Sequence, residues 1–366
     1  MKRYRVLKFQ LLLFFTCVGA ANLFPQGSSV SDTIWTDAQS LTVDGRAWNS
    51  TESFYDRLPA KAKQMVREPV WRLSHNSAGI SVRFVTTAKE FFIRWKLISS
   101  NLAMPHMPST GVSGVDVYLK EKNNKWHFLG NGRPGGNPYS IAVFKASDTS
   151  GNKSEYCVYL PLYNGVSSVE IGVSGRGVLV EKTASKNTDQ KPIVFYGTSI
   201  TQGGCASRPG LVHTSIISRN MNYPVINLGF SGNGQMEPEL AELISEIDAS
   251  VYVIDCMRNM TVEQVKQRVD PFIRRLHAVH PNIPVLIVEE SDFRNSFPSE
   301  RGALLKESII RLNNEGIKNL YYLPGDNLLG DDFEGTVDGI HPNDIGFIRQ
   351  AEVFQKALQE IINKNQ

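Results

Sequence analysis

A serine in a glycine-rich turn and an Asp-x-x-His near the far end of the chain are the residue types that acyl transfer requires. Ser199 lies in Phe195-Tyr-Gly-Thr-Ser-Ile-Thr-Gln-Gly-Gly204, directly after the apolar run Pro192-Ile-Val-Phe195. Alone, such a serine is usually only a turn former or helix cap. A serine hydroxyl is weakly nucleophilic and needs a base, normally a histidine oriented by a third group. Asp338-Gly-Ile-His341-Pro342 supplies both. The pairing predicts a triad in which His341 takes the Ser199 proton and Asp338 holds the imidazole in the required tautomer.

Such a triad must be assembled by the scaffold. Beyond residue 191, short apolar runs at 192–196, 224–228, 251–254, 284–288 and 320–323 alternate with helical patterns at 208–220, 237–247, 261–279, 299–316 and 343–362. This predicts an α/β fold: a doubly wound, five-stranded parallel sheet with helices on both faces. Polar clusters then fall at strand ends, where such sheets build their sites. Besides Ser199 these are Asn227-Leu-Gly-Phe-Ser-Gly-Asn233 and Asp255-Cys-Met-Arg-Asn259. By themselves Gly229 and Gly232 read equally as tight turns, and Asn259 as the cap of the helix starting near Thr261. Ahead of this half, alternating runs at 79–85, 90–97, 115–119, 126–129, 156–160 and 168–173 predict an all-β sandwich or jelly-roll-like domain. Residues 21–75 carry aromatics such as Trp35, Trp48 and Trp71 without a clear period. The polar stretch 181–191 places a boundary there, giving a signal segment 1–20, a β domain 21–188 and an α/β domain 189–366.

With these motifs in order, residues 191–366 resemble the SGNH hydrolase superfamily, the GDSL-like esterases and lipases. The resemblance implies a three-layer αβα fold, Ser199 as nucleophile and Asp338 and His341 as its partners. It also implies an oxyanion hole formed by the Ser199 amide, Gly232 and Asn259, and no cofactor. Thr198 stands where the family commonly has Asp, and Cys256-Met-Arg-Asn-Met260 replaces a glycine-bearing block. The β-rich half is similar to the accessory N-terminal domain of some bacterial SGNH esterases, whose Gly-x-Asp-Leu-Tyr motif is matched by Gly114-Val-Asp-Val-Tyr118. An α/β-hydrolase elbow fits less well, because position 201 is Thr where that motif needs Gly.

Composition narrows the partners. Lys2, Arg3, Arg5 and Lys8 precede the apolar stretch Leu11–Ala20, an arrangement that reads as an export signal too short to span a bilayer. Its removal leaves 35 basic against 36 acidic residues, a net charge of −1. A periplasmic or extracellular location follows, with no expected nucleic-acid partner and no membrane span after cleavage. No metal-ligand spacing occurs. Cys205 and Cys256 follow neighbouring strand ends and would be either bridged or two buried thiols. His106 and Met107, in the loop Asn101-Leu-Ala-Met-Pro-His-Met-Pro108, are candidates for the rim of the cleft, or for packing on their own domain. The resulting expectation is a secreted serine esterase acting on short acyl groups, most of all acetyl, of a carbohydrate or another small ester. A lipase or thioesterase of the same superfamily, or a non-catalytic carbohydrate-binding protein, is the alternative.

Overall fold

The computed structural model describes residues 32–135, 138–146, 152–175, 177–183, 190–292 and 296–365, so the expected signal segment 1–20 lies outside it. The first part is antiparallel. Its strands are β1 (Ile34–Asp37), β2 (Thr42–Asp44), β3 (Ser81–Thr86), β4 (Glu90–Leu97), β5 (Val115–Lys120), β6 (Trp126–Gly132), β7 (Ser140–Lys145), β8 (Ser154–Tyr159), β9 (Val166–Val173) and β10 (Val180–Lys182). One sheet runs β1-β9-β4-β7; the other runs β10-β3-β8-β5-β6, with β2 also on β3. Alternation along β4 and β9 sends Ile93, Trp95, Val169 and Ile171 inward, where they meet Val82, Phe84, Val117 and Val158 of the facing sheet. Burying both inner faces in one apolar layer is what makes a sandwich stable. Short helices α1 (Glu68–Ser74) and α2 (Ser109–Val112) interrupt the strands. The expected boundary stretch is partly structured: β10 pairs with β3 through Lys182.

The second part is the expected parallel sheet. Strands β11 (Ile193–Gly197), β12 (Val225–Gly229), β13 (Val251–Asp255), β14 (Val285–Val288) and β15 (Leu320–Leu323) lie in the order β12-β11-β13-β14-β15. Its helices are α3 (Ser199–Gln202), α4 (His213–Met221), α5 (Pro238–Ile244), α6 (Val262–Val279), α7 (Glu300–Asn314) and α8 (Asp344–Asn365). Residues of α5, α6 and α7 cover one face of the sheet, and residues of α4 and α8 cover the other. β11 is the topological switch point, with β12 on one side and β13 on the other, so the crevice opens at its C-terminal end. Ser199 begins the next helix.

The stretch without periodicity has a clear place. Leu58, Ala62 and Val70, fully or almost fully buried, join the apolar core of the α5–α6–α7 face. The early segment is thus divided: Ala38, Leu41 and Tyr55 fill the sandwich, whereas residues 58–70 pack on the parallel sheet.

Candidate active site

Ser199 is the first residue of α3, and the preceding Thr198 caps that helix through a side-chain oxygen accepting from the Ile200 amide at 3.2 Å. Ser199 Oγ lies 2.9 Å from His341 Nε2, and His341 Nδ1 lies 2.7 Å from Asp338 Oδ2. With the proton on Nδ1 donated to Asp338, Nε2 is left to accept from the serine hydroxyl. Asp338 Oδ1 accepts from the backbone amides of His341 (2.8 Å) and Ile340 (3.0 Å). Partial burial works to raise the Asp338 pKa. The bonds from the His341 amide and imidazole and from the Ile340 amide outweigh it and hold the carboxyl below its ordinary range. The loop itself is pinned where Asn343 Oδ1 accepts from Gly346 N at 3.0 Å, capping α8.

The second cluster forms a turn in which Asn233 N donates to Phe230 O at 2.8 Å. Gly232 has φ +70°, the left-handed region that favours glycine, and open space around it. Asn259 ends a short 3₁₀ turn after β13. With its carboxamide turned so that Oδ1 accepts from Asn233 N (3.0 Å) and Gly232 N (3.3 Å), its NH₂ group becomes available as a donor. Gln202, fully buried, ties this turn to the nucleophile. Its Oε1 accepts from Ser231 N at 3.0 Å, while its Nε2 donates to Asn76 Oδ1 and Leu162 O. Thr201 Oγ1 donates to Asp255 Oδ2 at 3.1 Å beneath the turn. Burial, with the Glu290 charge adding to it, pushes that carboxyl up to about 7 despite the Thr201 bond.

Residues outside the predicted set hold this geometry. Arg57, 2 % exposed, donates to four backbone carbonyls: Asn76 (2.8 Å), Leu73 (2.7 Å), Gly229 (2.7 Å) and Asn227 (3.3 Å). Burial alone lowers its pKa to about 9 against the opposing pull of Tyr163 and Asp56. Arg67 binds Asn233 Oδ1 at 2.8 Å and the carboxylate of Glu237. Tyr163 OH donates to the Ser199 carbonyl at 3.3 Å. No period marks Arg57 or Arg67 in the sequence; Gln202 stood inside the nucleophile motif, where its attachment to Ser199 was the available signal.

The Gly-x-Asp-x-Tyr motif acquires a physical role. Asp116 is fully buried and its Oδ2 accepts from Arg208 Nη1 and Gly210 N, both at 2.8 Å. Tyr118 OH accepts from Arg208 at 2.8 Å and donates to Gly210 O at 3.3 Å. A Cβ at Gly210 would lie 2.5 Å from the Tyr118 ring, so only glycine allows this approach. Val117, between the two, points into the sandwich core. One turn earlier Thr110 Oγ1 donates to Ser207 O at 2.6 Å, and Ser207 N donates to Asp344 Oδ1 at 2.8 Å, three residues beyond His341. The motif thus grips the segment that leads from the nucleophile turn to α4, and Ser207 of that segment holds the start of α8 through Asp344.

The His106 ring centroid lies 6.3 Å from that of His341, on the exposed side of the site. Met107 turns the other way, 2 % exposed, in the apolar cluster with Ile200, Ala206, Val212 and Phe347. Cys157, Cys205 and Cys256 are all free and buried, so Cys205 and Cys256 are two thiols without a bridge. Burial raises Cys205 to about 11, with the Asp338 charge adding to it. Among the described residues no group of three or more His, Cys, Asp or Glu side chains could hold a metal, and no helix is long and apolar enough to cross a membrane.

Comparison with known proteins places these features. Residues 190–359 match the profile of the GDSL-like Lipase/Acylhydrolase family, and residues 33–178 match that of the N-terminus of Esterase SGNH hydro-type, GxDLY. A crystal structure from Bacteroides ovatus ATCC 8483, provisionally assigned as a GDSL-like lipase, is 33% identical with a TM-score of 0.83. The match covers 90% of this chain and 98% of that one. A salicylyl-acyltransferase from a tetracycline biosynthetic pathway shares 15% identity and a TM-score of 0.73 over 91% of this chain and 98% of that one. A family two carbohydrate esterase from Clostridium thermocellum, solved with cellohexaose, shares 14% identity and a TM-score of 0.55 over 77% and 92%. The last two are similar in fold. No curated protein matches the sequence.

Proposed function

Since the chain belongs to the GDSL-like lipase/acylhydrolase family and carries the GxDLY-type N-terminal region, we propose that it is an exported serine esterase that removes short acyl groups, acetyl above all, from carbohydrates. The observation that carries this reading is the unbroken relay from Ser199 Oγ through His341 to Asp338. His341 Nε2 takes the hydroxyl proton as Ser199 Oγ bonds to the ester carbonyl carbon, and Asp338 stabilises the imidazolium. The negative charge collects on the former carbonyl oxygen. The amides of Ser199 and Gly232 and the carboxamide NH₂ of Asn259 meet it; they are aimed before the reaction and need no rearrangement. At 3.3 Å the Gly232 bond to Asn259 is long enough to be shared with the incoming oxyanion. Collapse breaks the ester C–O bond, and His341 returns its proton to the departing sugar hydroxyl. A water molecule, deprotonated by His341, attacks the acyl-enzyme, releasing the acid and restoring Ser199.

No step requires a cofactor. The short acyl preference draws on the surroundings of Ser199: the turn bears Gly203, Gly204 and polar side chains in place of a long apolar helix that would shelter a fatty chain. Acetate release from acetylated plant glycans, measured beside a nitrophenyl ester series with Ser199→Ala as blank, tests the reading. Acetate from at least one glycan and a fall in rate beyond four carbons are expected. A preference for eight or more carbons with no acetate from any glycan would make the protein a lipase.

A further inference from the structure

Beside the oxyanion turn lies a groove of about 820 Å³. Its lining includes Ser231 and Asn233, which flank Gly232, and Tyr163, which touches the Ser199 carbonyl. It also includes Arg72 and His75 at the end of α1, together with Ser53. Leu73, Ile98 and Met104 add apolar patches, and Ile98 is 53% exposed although it lines the wall. No aspartate or glutamate lines the groove, whereas the chain as a whole is acidic and basic in nearly equal number. The charge facing its occupant is therefore positive.

The two basic side chains differ in how they are held. His75 Nδ1 lies 3.0 Å from Asp56, a carboxylate 2 % exposed whose other oxygen accepts from Ser53 N at 2.8 Å. That bond with Asp56, outweighing partial burial, raises the His75 pKa. With Nδ1 turned to Asp56, Nε2 lies on the far side of the ring from the buried acid and donates to an anion when the imidazole is protonated. Among the described residues Arg72 pairs with Glu68 alone, at 3.7 Å on the same exposed helix face, an arrangement worth little in water. Its guanidinium remains able to form paired hydrogen bonds with a planar anion.

We propose, resting on the esterase reading, that this groove binds the alcohol part of the substrate as an acidic sugar, its anionic group held by Arg72 and His75. Amide and hydroxyl groups along the wall, Asn101 among them, suit sugar hydroxyls, and Tyr163 with Ile98 and Met104 suits the C–H faces of the rings. A uronate carboxylate and a sugar sulfate share this chemistry. We commit to the uronate because the fork of one arginine beside a single imidazole donor offers about three hydrogen bonds, enough for a carboxylate.

Calorimetric titration of Ser199→Ala protein with oligogalacturonate, a sulfated oligosaccharide and a neutral xylo-oligosaccharide of equal length tests the site. The uronate is expected to bind at least ten-fold more tightly than the neutral chain, with the sulfated chain between them. In the active protein, Arg72→Gln and His75→Gln should each lower the kcat/KM ratio of acetylated galacturonan over acetylated xylan about ten-fold, chiefly through KM for the acidic ester. Arg72→Glu, an exposed change that leaves the buried Asp56 pair intact, should reverse the preference. Equal binding of acidic and neutral chains, a preference for sulfate, or a substrate ratio unmoved by the Arg72 variants would overturn the proposal. Failure of the wild type to cleave any ester would instead remove the esterase reading, while the titration would still decide what the groove binds.

Discussion

Ser199 and His341, the proposed nucleophile and base, sit 2.9 Å apart yet belong to regions of opposite construction. On the nucleophile side Ser199 is 7% exposed, and Thr198, Thr201 and Gln202 around it are fully buried. Each of these polar side chains is paired, and the turn grows out of a parallel strand buried on both faces. On the other side the Asp338 side chain is 44% exposed and that of His341 25%, on a loop held mainly by its own backbone. Its tie to the rest of the site is Asp344 with Ser207, next to the segment gripped by Asp116 and Tyr118. The sheet therefore places the nucleophile, whereas a short loop and the GxDLY clamp place the base. Damage to the clamp should reach His341 before it reaches Ser199.

The largest effects test whether both regions act in one step. Ser199→Ala and His341→Ala should each lower kcat by roughly 10⁴-fold or more with folding intact, and the double variant should be no worse than either single one. Steady-state kinetics with circular dichroism as the folding control checks this; additive losses would mean that the two act separately. Asp338→Asn should cost about ten-fold less than His341→Ala, as the exposed carboxylate is screened and the tautomer is its main charge. Next, Asn259→Ala should lower kcat by roughly 10²–10³-fold with little change in KM, as for loss of one oxyanion donor.

Asp116→Asn separates the regions directly. It removes a buried charge facing Arg208 and should cost about 3 kcal/mol of stability in denaturant titrations. If the clamp sets the base, kcat falls about ten-fold, and the reaction of Ser199 with an organophosphonate, which also draws on His341, is slowed by the same factor. Equal kcat in a folded variant would show that the loop positions His341 unaided.

The smallest effect lies on the far face of the sheet. His213 is fully buried between Phe195, Phe347 and Phe354, and neither ring nitrogen has a partner. Burial holds its pKa down to about 3. Its folded value being below the ordinary 6.5, the unfolded chain takes up a proton that the folded one refuses, so stability is lost as pH falls from 6.5 towards 3. The slope approaches about 1.4 kcal/mol per pH unit. His213→Phe should flatten that acid limb and add about 1 kcal/mol at neutral pH. Urea midpoints at pH 7 and pH 5 check it: an unchanged difference between the two would exclude His213 as the source.

The same contrast governs what could be read in advance. Strands β11 to β15 fall within a residue or two of the expected runs, because a strand covered on both faces must be continuously apolar. Ser199, Asp338 and His341 were legible since their chemistry demands those types in that order. Strands β1 and β2 were not, being short and lying in a stretch whose packing is irregular, and β7 was missed because Ile141 and Val143 of its apolar set point outward. Arg57 and Arg67 escaped for a different reason. Arg57 bridges the nearby carbonyls of Leu73 and Asn76 to those of Asn227 and Gly229, and Arg67 reaches Asn233 and Glu237, in each case across about 170 residues, a relation that no local pattern encodes.

Leu58, Ala62 and Val70 bear on how such a molecule can be inherited. Because these residues complete the core of the α5–α6–α7 face, and Arg57 satisfies carbonyls at the end of β12, the catalytic half begun at residue 190 would carry an open apolar wound beside its own oxyanion turn. Separating the chain before residue 190 would part a sheet from some of its filling. A swap of the first half would therefore have to bring residues that fill the same apolar face and cap the same carbonyls.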